Sequence, residues 1–330
     1  MLRTRFTDLL GLNYPIVSAP MATTANGALV AAVSAAGGLG LVGASSGSFN
    51  PERPQWLREQ IQHIRSITDK PFGIGLALNF PQSDELLAVA LEAEVPAVAV
   101  SFGDPAPFVD RIKSSGAIMM SQVQTVDQAR HAASVGVDVL AAQGVEGGGH
   151  IGEIGVLTLL PAVLDAVSVP VLAAGGVGDG RGLAAVLLMG GDGAWMGTRF
   201  VASAEADADD WYKKSIVEAE TDNTVRTLSY DLARGVPFPN GIAGRVIQNA
   251  FTDEWHGRDE EIRARREELA AEFDAALTSR TPKLSAMWAG SVAGLIKSIE
   301  PAGDLVRSVA NDAEAILRSR PNQLFVREEQ

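Results

Sequence analysis

Short apolar runs, each too brief for a helix and each closed by glycine, proline or a small polar residue, recur along the chain as far as Met196. They lie at Pro15–Ala19, Leu39–Val42, Phe72–Leu78, Ala97–Ser101, Ala117–Ser121, Val139–Ala142, Val171–Ala174 and Gly193–Met196. Longer stretches with helical spacing stand between them: Glu52–Ile67, Ser83–Ala93, Val126–Val135, Leu157–Val167 and Arg181–Met189. The short runs are apolar throughout rather than alternating, which predicts strands covered on both faces, as in a parallel sheet. Eight such strands alternating with helices predict an α/β chain folded as a (β/α)8 TIM barrel rather than an open sheet. An open dinucleotide-binding sheet would place its glycine fingerprint after the first strand, and here that strand ends in Ala19-Pro20-Met21.

Beyond the eighth run the texture changes. Ala204–Glu220 reads as an acidic amphipathic helix, Thr224–Gly235 as a short hairpin or extended segment, and Gly235–Gly244 as a proline- and glycine-rich loop. Asp259–Leu277 reads as one charged helix with a packed stripe of Ile262, Leu269, Phe273 and Leu277. Trp288–Ile299 and Asp304–Leu317 read as terminal helices that close the barrel. The expected division is a barrel of residues 1–216 together with 286–330, and a smaller, mainly helical inserted segment after strand eight, residues 217–285, that caps the substrate entrance.

Glycine concentrates at three strand ends. The run Val139–Ala142 passes into Gln143-Gly144-Val145-Glu146-Gly147-Gly148-Gly149-His150, so a histidine follows a strand end on a loop stripped of bulk. That loop suits chemistry on a flat ligand, and an ordinary flexible turn with a solvated histidine is the competing reading. Val169–Gly182 (VPVLAAGGVGDGRG) and Gly193–Phe200 (GAWMGTRF) repeat the strand-then-glycine logic. Paired turns of this kind form a nest of backbone N–H groups that binds phosphate without lysine, and phosphate sites in eightfold barrels lie after strands seven and eight. Tight αβ turns with no ligand give the same composition.

The bulk numbers narrow the function classes. The 330 residues, 46% hydrophobic, are enough for an ample core without staples. The absence of cysteine excludes disulfides, thiolate metal sites and a cysteine nucleophile. No His/Asp/Glu cluster has metal-ligand spacing, so no metal is expected. A net charge of −13 argues against nucleic acid as a partner. The N-terminal MLRTRFTDLLG lacks the apolar core of a signal peptide, and no run has transmembrane length, so a cytoplasmic protein without membrane contact is expected. His63, His131 and His256 sit on helical or charged stretches and read as surface residues.

The segments Pro15–Met21 (PIVSAPM), Gly37–Gly43 (GGLGLVG), Gln143–Gly152 (QGVEGGGHIG) and Ala173–Phe200 together resemble the nitronate monooxygenase family, FMN-dependent TIM-barrel proteins formerly called 2-nitropropane dioxygenases. The resemblance extends over nearly the whole chain. It implies FMN as cofactor, with Ala19, Pro20 and Met21 lining the isoalloxazine through backbone contacts. Gln122 would face the pyrimidine edge, Gln143 and Gly148 would contact the flavin, and Gly175, Gly176, Gly197 and Thr198 would cradle the phosphate. His150 matches the histidine proposed as the family's active-site base. One departure stands out: many relatives carry asparagine where this chain has Gly75, and Asn79 is the candidate replacement.

The implied activity is oxidation of alkyl nitronates by O₂ to a carbonyl compound and nitrite. His150 would take the α-proton of a neutral nitroalkane or orient the nitronate. The competing activity within the same superfamily is NAD(P)H-dependent reduction of quinones or enoyl thioesters. A flavoprotein that binds ligands without turnover is the third possibility, which the Gly-Gly-Gly-His loop opposes. The expected partner is a small-molecule substrate, and the expected assembly a monomer or homodimer.

Overall fold

The computed structural model of the chain describes residues 2–45, 49–236, 238–278 and 284–324. Eleven strands follow in chain order: β1 (Ile16–Ser18), β2 (Leu39–Gly43), β3 (Phe72–Ala77), β4 (Ala97–Ser101), β5 (Ile118–Val123), β6 (Val139–Gln143), β7 (Gly149–Ile151), β8 (Val171–Ala174), β9 (Gly193–Met196), β10 (Thr224–Thr227) and β11 (Ala243–Ile247). Eight of them, β1 to β6 with β8 and β9, form a closed parallel barrel, the (β/α)8 fold read from the hydrophobic pattern. The barrel closes where Ile16, Val17 and Ser18 pair with Ala194, Trp195 and Met196.

Each strand is buried on both faces for a separate reason. Inward side chains such as Val17, Leu41, Ala99, Met120, Ala141, Leu172 and Trp195 fill the barrel, with Phe6 of the N-terminal helix Arg5–Leu10 packed into the same cluster. Outward ones, among them Ile16, Val42, Ile74, Val98, Leu140 and Val171, pack under the surrounding helices. This double burial makes the strands uniformly apolar. The C-terminal helix Ala302–Leu324 completes the outer layer by packing on the helices Gly180–Leu188 and Gly27–Ala35. Among the described residues no helix is long and apolar enough to cross a membrane.

The segment between β9 and the last helix departs from its sequence reading in four places. Ala204–Glu220 is helical only over Asp210–Glu218. Thr224–Gly235 is the strand β10 followed by a helix, Ser229–Arg234, ended by Gly235 at φ +64°. A helix of six residues is too short to show a 3.6-residue period. Asp259–Leu277 is two helices, Asp259–Ala264 and Arg266–Thr278, separated at Arg265. Trp288–Ile299 is not a helix: Trp288 bridges Val246, and a 3₁₀ turn spans Ser291–Leu295. Backbone contacts explain that last difference, because a Cβ on Gly290 would lie 2.5 Å from the Glu146 carbonyl and one on Gly294 2.3 Å from the Thr221 nitrogen. Those glycines keep the segment pressed against its neighbours.

Ile262, Leu269 and Phe273 do pack inward, with Tyr230, Val246, Phe251 and Trp255, as a small core of their own. The side chain of Leu277, the fourth member of the expected stripe, lies outside the described residues. The connection to the barrel is a second sheet in the order β10-β11-β7, in which Ala243, Gly244 and Arg245 pair antiparallel with Ile151, His150 and Gly149. Gly244, opposite His150, is where the Trp288 ring lies: a Cβ there would meet Trp288 Cζ3 at 2.2 Å. Gly244→Ala should therefore destabilise the protein by about 1–3 kcal/mol, the usual cost of overpacking. Chemical denaturation measures this, and a variant as stable as the wild type would show that Trp288 does not occupy that space.

Candidate active site

The C-terminal ends of the barrel strands and the inserted segment enclose a cavity of about 560 Å³, within the usual size of a small-molecule or cofactor site. All eleven residues singled out from the sequence line it: Ala19, Pro20, Met21, Gln122, Gln143, Gly148, His150, Gly175, Gly176, Gly197 and Thr198. They come from five different strand ends, which only barrel closure brings together.

Ala19-Pro20-Met21 forms one wall. The Ala19 N–H donates to the Met196 carbonyl at 2.9 Å, so the barrel ladder continues one residue beyond β1. Pro20 lies directly against β3, where a Cβ on Gly75 would be 2.1 Å from the Pro20 Cβ. An asparagine at 75 is incompatible with this position of Pro20, so the departure at Gly75 and the placement of Pro20 belong together. Asn79, the candidate replacement, is not among the residues lining the cavity.

The polar edge is built from three glutamines rather than two. Gln122 and Gln124 each donate from Nε2 to Gln143 Oε1 at 2.9 Å. With its oxygen accepting two bonds, Gln143 is left with its amide hydrogens as the group to offer a ligand. Gln124 is buried, and nothing in the sequence distinguished it.

The glycine turns after β8 and β9 lie side by side. Gly175 and Gly176 have φ of +94° and +73°, in the left-handed region. Gly175 is fixed sterically as well, since its Cβ would lie 2.9 Å from the Gly147 nitrogen. A Cβ on Gly176 would meet nothing closer than Glu146 Cβ at 3.6 Å, so its backbone conformation, not crowding, favours glycine there. Thr198 Oγ1 accepts the Gly290 N–H at 2.9 Å, which leaves the hydroxyl proton to donate to an acceptor in the cavity. Gly148 has a packing role that the sequence did not reveal: its Cβ would be 2.5 Å from the Gly290 nitrogen. The β6 loop and the 289–290 backbone meet through these two glycines.

His150 stands on β7, outside the barrel ladder and over the cavity. Its Nε2 donates to both carboxylate oxygens of Asp231, at 2.9 and 3.0 Å. Phe238 stacks on the imidazole with centroids 3.5 Å apart and planes 11° from parallel, and Trp288 lies 4.8 Å away on a tilt. Phe102 meets Phe238 edge-on at 5.3 Å and has φ +57°, an uncommon conformation for a bulky residue. Asp231, Phe238 and Phe102 were not found from the sequence; an aromatic residue in the proline- and glycine-rich loop was the available signal for Phe238. On another wall, burial pushes the Tyr212 hydroxyl far above its usual range, so it serves as a neutral donor, to the Trp288 carbonyl at 2.7 Å. Among the described residues the charged groups lining the cavity are Asp207, Asp209, Asp231 and Arg234. Among the described residues no three His, Asp or Glu side chains are grouped to hold a metal ion.

The family model described as nitronate monooxygenase matches residues 3–87 and 79–312. A nitronate monooxygenase of Neurospora crassa is 34% identical over 345 aligned positions, covering 92% of this chain and 89% of that protein. A hydroxy-methyl-oxo-octahydroindene-carboxyl-CoA dehydrogenase of Mycobacterium tuberculosis is 33% identical over 255 positions, 76% of this chain and 68% of that one. Among solved structures, FabK from Thermotoga maritima superposes with a TM-score of 0.87 at 33% identity, covering 98% of this chain and all of that one. A nitroalkane oxidase from Streptomyces ansochromogenes gives 0.81 at 29% identity, covering 96% and 99%. Barrel topology, the glycine-rich strand ends and the family match over nearly the whole chain agree: this chain is an oxidoreductase belonging to the nitronate monooxygenase family.

Proposed function

We propose that the protein binds FMN in the described cavity and oxidises alkyl nitronates with O₂ to a carbonyl compound and nitrite. The observation that carries this reading is the convergence of a histidine–carboxylate pair and two glycine-rich strand-end turns on one cavity. The residues present fit FMN. Gly175, Gly176 and Gly197 offer backbone N–H groups, and Thr198 offers a hydroxyl proton, without a lysine. The Gln143 amide, fixed by Gln122 and Gln124, suits a ring carbonyl. FMN would supply the two-electron acceptor and deliver those electrons to O₂. The chain's own residues hold the substrate and manage the proton: His150 takes it from the α-carbon of a neutral nitroalkane, or orients a nitronate that has already lost it. Residues 217–285, which contribute Asp231, Arg234 and Phe238 to the lining, shape access to the site.

The likeness to a CoA-thioester dehydrogenase favours a second reading, NAD(P)H-dependent reduction of a quinone or enoyl thioester. Cavity charge weighs against it. CoA and pyridine dinucleotides are polyanions, and among the described residues the lining offers three aspartates against one arginine. Anaerobic mixing separates the two: propyl nitronate should bleach the flavin rapidly and NADH or NADPH should not. Rapid bleaching by a pyridine nucleotide, with none by the nitronate, would establish the second reading instead.

Acid-released cofactor should be FMN and not FAD. Gly176→Val should retain little flavin while losing only about 1–2 kcal/mol of stability to the left-handed backbone; full flavin content in that variant would move the phosphate elsewhere. His150→Ala should lower kcat/KM for a neutral nitroalkane by roughly 10²–10⁴-fold, and for the preformed nitronate by clearly less. Equal losses on both forms would reject proton abstraction, and no loss on either would make His150 a structural residue.

A further inference from the structure

Asp231 lies 81 positions from His150, on the short helix Ser229–Arg234 of the inserted segment. Its carboxylate is 8% exposed and the imidazole 16%. Asp231 is held by buried neighbours. Ser229 Oγ donates to the Trp255 carbonyl at 3.1 Å, and the fully packed Tyr230 donates to Asn249 Oδ1 at 3.0 Å. A carboxylate has no proton to give, so a hydrogen bond between it and His150 Nε2 requires the proton to sit on Nε2. The lone pair then sits on Nδ1. Among the described residues Nδ1 has no hydrogen-bond partner, although His150 lines the cavity. Phe238 stacked on the ring at 3.5 Å and Trp288 packed at 4.8 Å oppose rotation of the ring that would carry Nε2 away from Asp231.

We infer that Asp231 is a positioning residue that fixes His150 as the Nε2–H tautomer, so that Nδ1 is the base presented to substrate. The inference rests on the nitronate reading for its chemistry but not for its geometry. The substrate's α C–H bond breaks, its electron pair moves onto the nitro group to give the nitronate, and the proton passes to Nδ1. The resulting imidazolium keeps Nε2–H on Asp231, so its positive charge faces a carboxylate in a partly buried site. The inserted segment thereby supplies part of the acid–base apparatus, in addition to covering the cavity.

The test is ¹⁵N NMR of histidine-labelled, flavin-loaded protein at alkaline pH, where imidazoles are neutral. The chain has four histidines, and the signals lost in His150→Gln identify the right one. The wild type should show a protonated Nε2 and an unprotonated Nδ1 for His150. Asp231→Asn should lose that preference and lower kcat/KM for a neutral nitroalkane by roughly 10²–10⁴-fold, with a clearly smaller loss on the preformed nitronate. Asp231→Glu, which keeps the carboxylate, should restore the Nε2–H signature and part of the rate. A wild type with the proton on Nδ1 would overturn the inference, as would an Asp231→Asn variant with unchanged tautomer and rate. If Asp231→Asn does not fold, a folded Asp231→Glu lacking the Nε2–H signature overturns it, and one that keeps it supports it. A wild type with the expected tautomer but no turnover of either nitro substrate would remove the nitronate reading and leave the positioning role standing.

Discussion

The site depends on one three-residue strand. Gly149–Ile151 pairs with Ala243–Ile247 rather than with the barrel, and this pairing turns the end of a glycine loop into fixed backbone. Glycine runs supply conformational freedom, which a side chain held over a cavity cannot use. The ladder to β11 removes it at Gly149, His150 and Ile151, while Gly147 and Gly148 keep the loop thin beside the cavity. The rest of the local architecture follows. Gly244 sits opposite His150 so that Trp288 can lie across β11, and the Gly148–Gly290 contact draws the 289–290 backbone against the loop. The Gly290 N–H in turn donates to Thr198 Oγ1 at 2.9 Å. These contacts join the histidine, the inserted segment and the turn after β9 to one another.

The barrel was legible in the sequence because its strands are buried on both faces. A run such as Val139–Ala142 has no polar face to confuse it, and the closing glycines mark where each strand stops. The glycine-rich ends at Gly175–Gly176 and Gly197–Thr198 were legible for the same reason: side chains are absent where backbone must face a cavity. The insertion was not legible because its order is tertiary. Ser229–Arg234 makes less than two helical turns, and Trp288–Ile299 has helical spacing yet contacts at Gly290 and Gly294 hold it to a bridge and a single 3₁₀ turn. Asp231 is one of 40 acidic residues and carries no local mark; only the fold places it on His150. Gln124 was hidden likewise, since its role is a hydrogen bond to Gln143 and not a contact that a motif records.

Family membership determines the scaffold and leaves the substrate to the walls of the cavity. Three features mark those walls: Pro20 packed into the space left by Gly75, the aromatic group of Phe102, Phe238 and Trp288 around the imidazole, and, among the described residues, the excess of aspartate over arginine. The first brings the wall of the cavity close to β3. The second leaves the edge of the imidazole, rather than its stacked face, to meet a substrate. The third disfavours polyanionic carriers.

The most direct test of a proton-accepting His150 is the deuterium isotope effect on kcat/KM for a nitroalkane deuterated at the reacting carbon. The account predicts a primary effect with the neutral nitroalkane, because the C–H bond breaks at His150, and none with the same compound supplied as its nitronate. A neutral nitroalkane turned over by the enzyme itself with no isotope effect would contradict it.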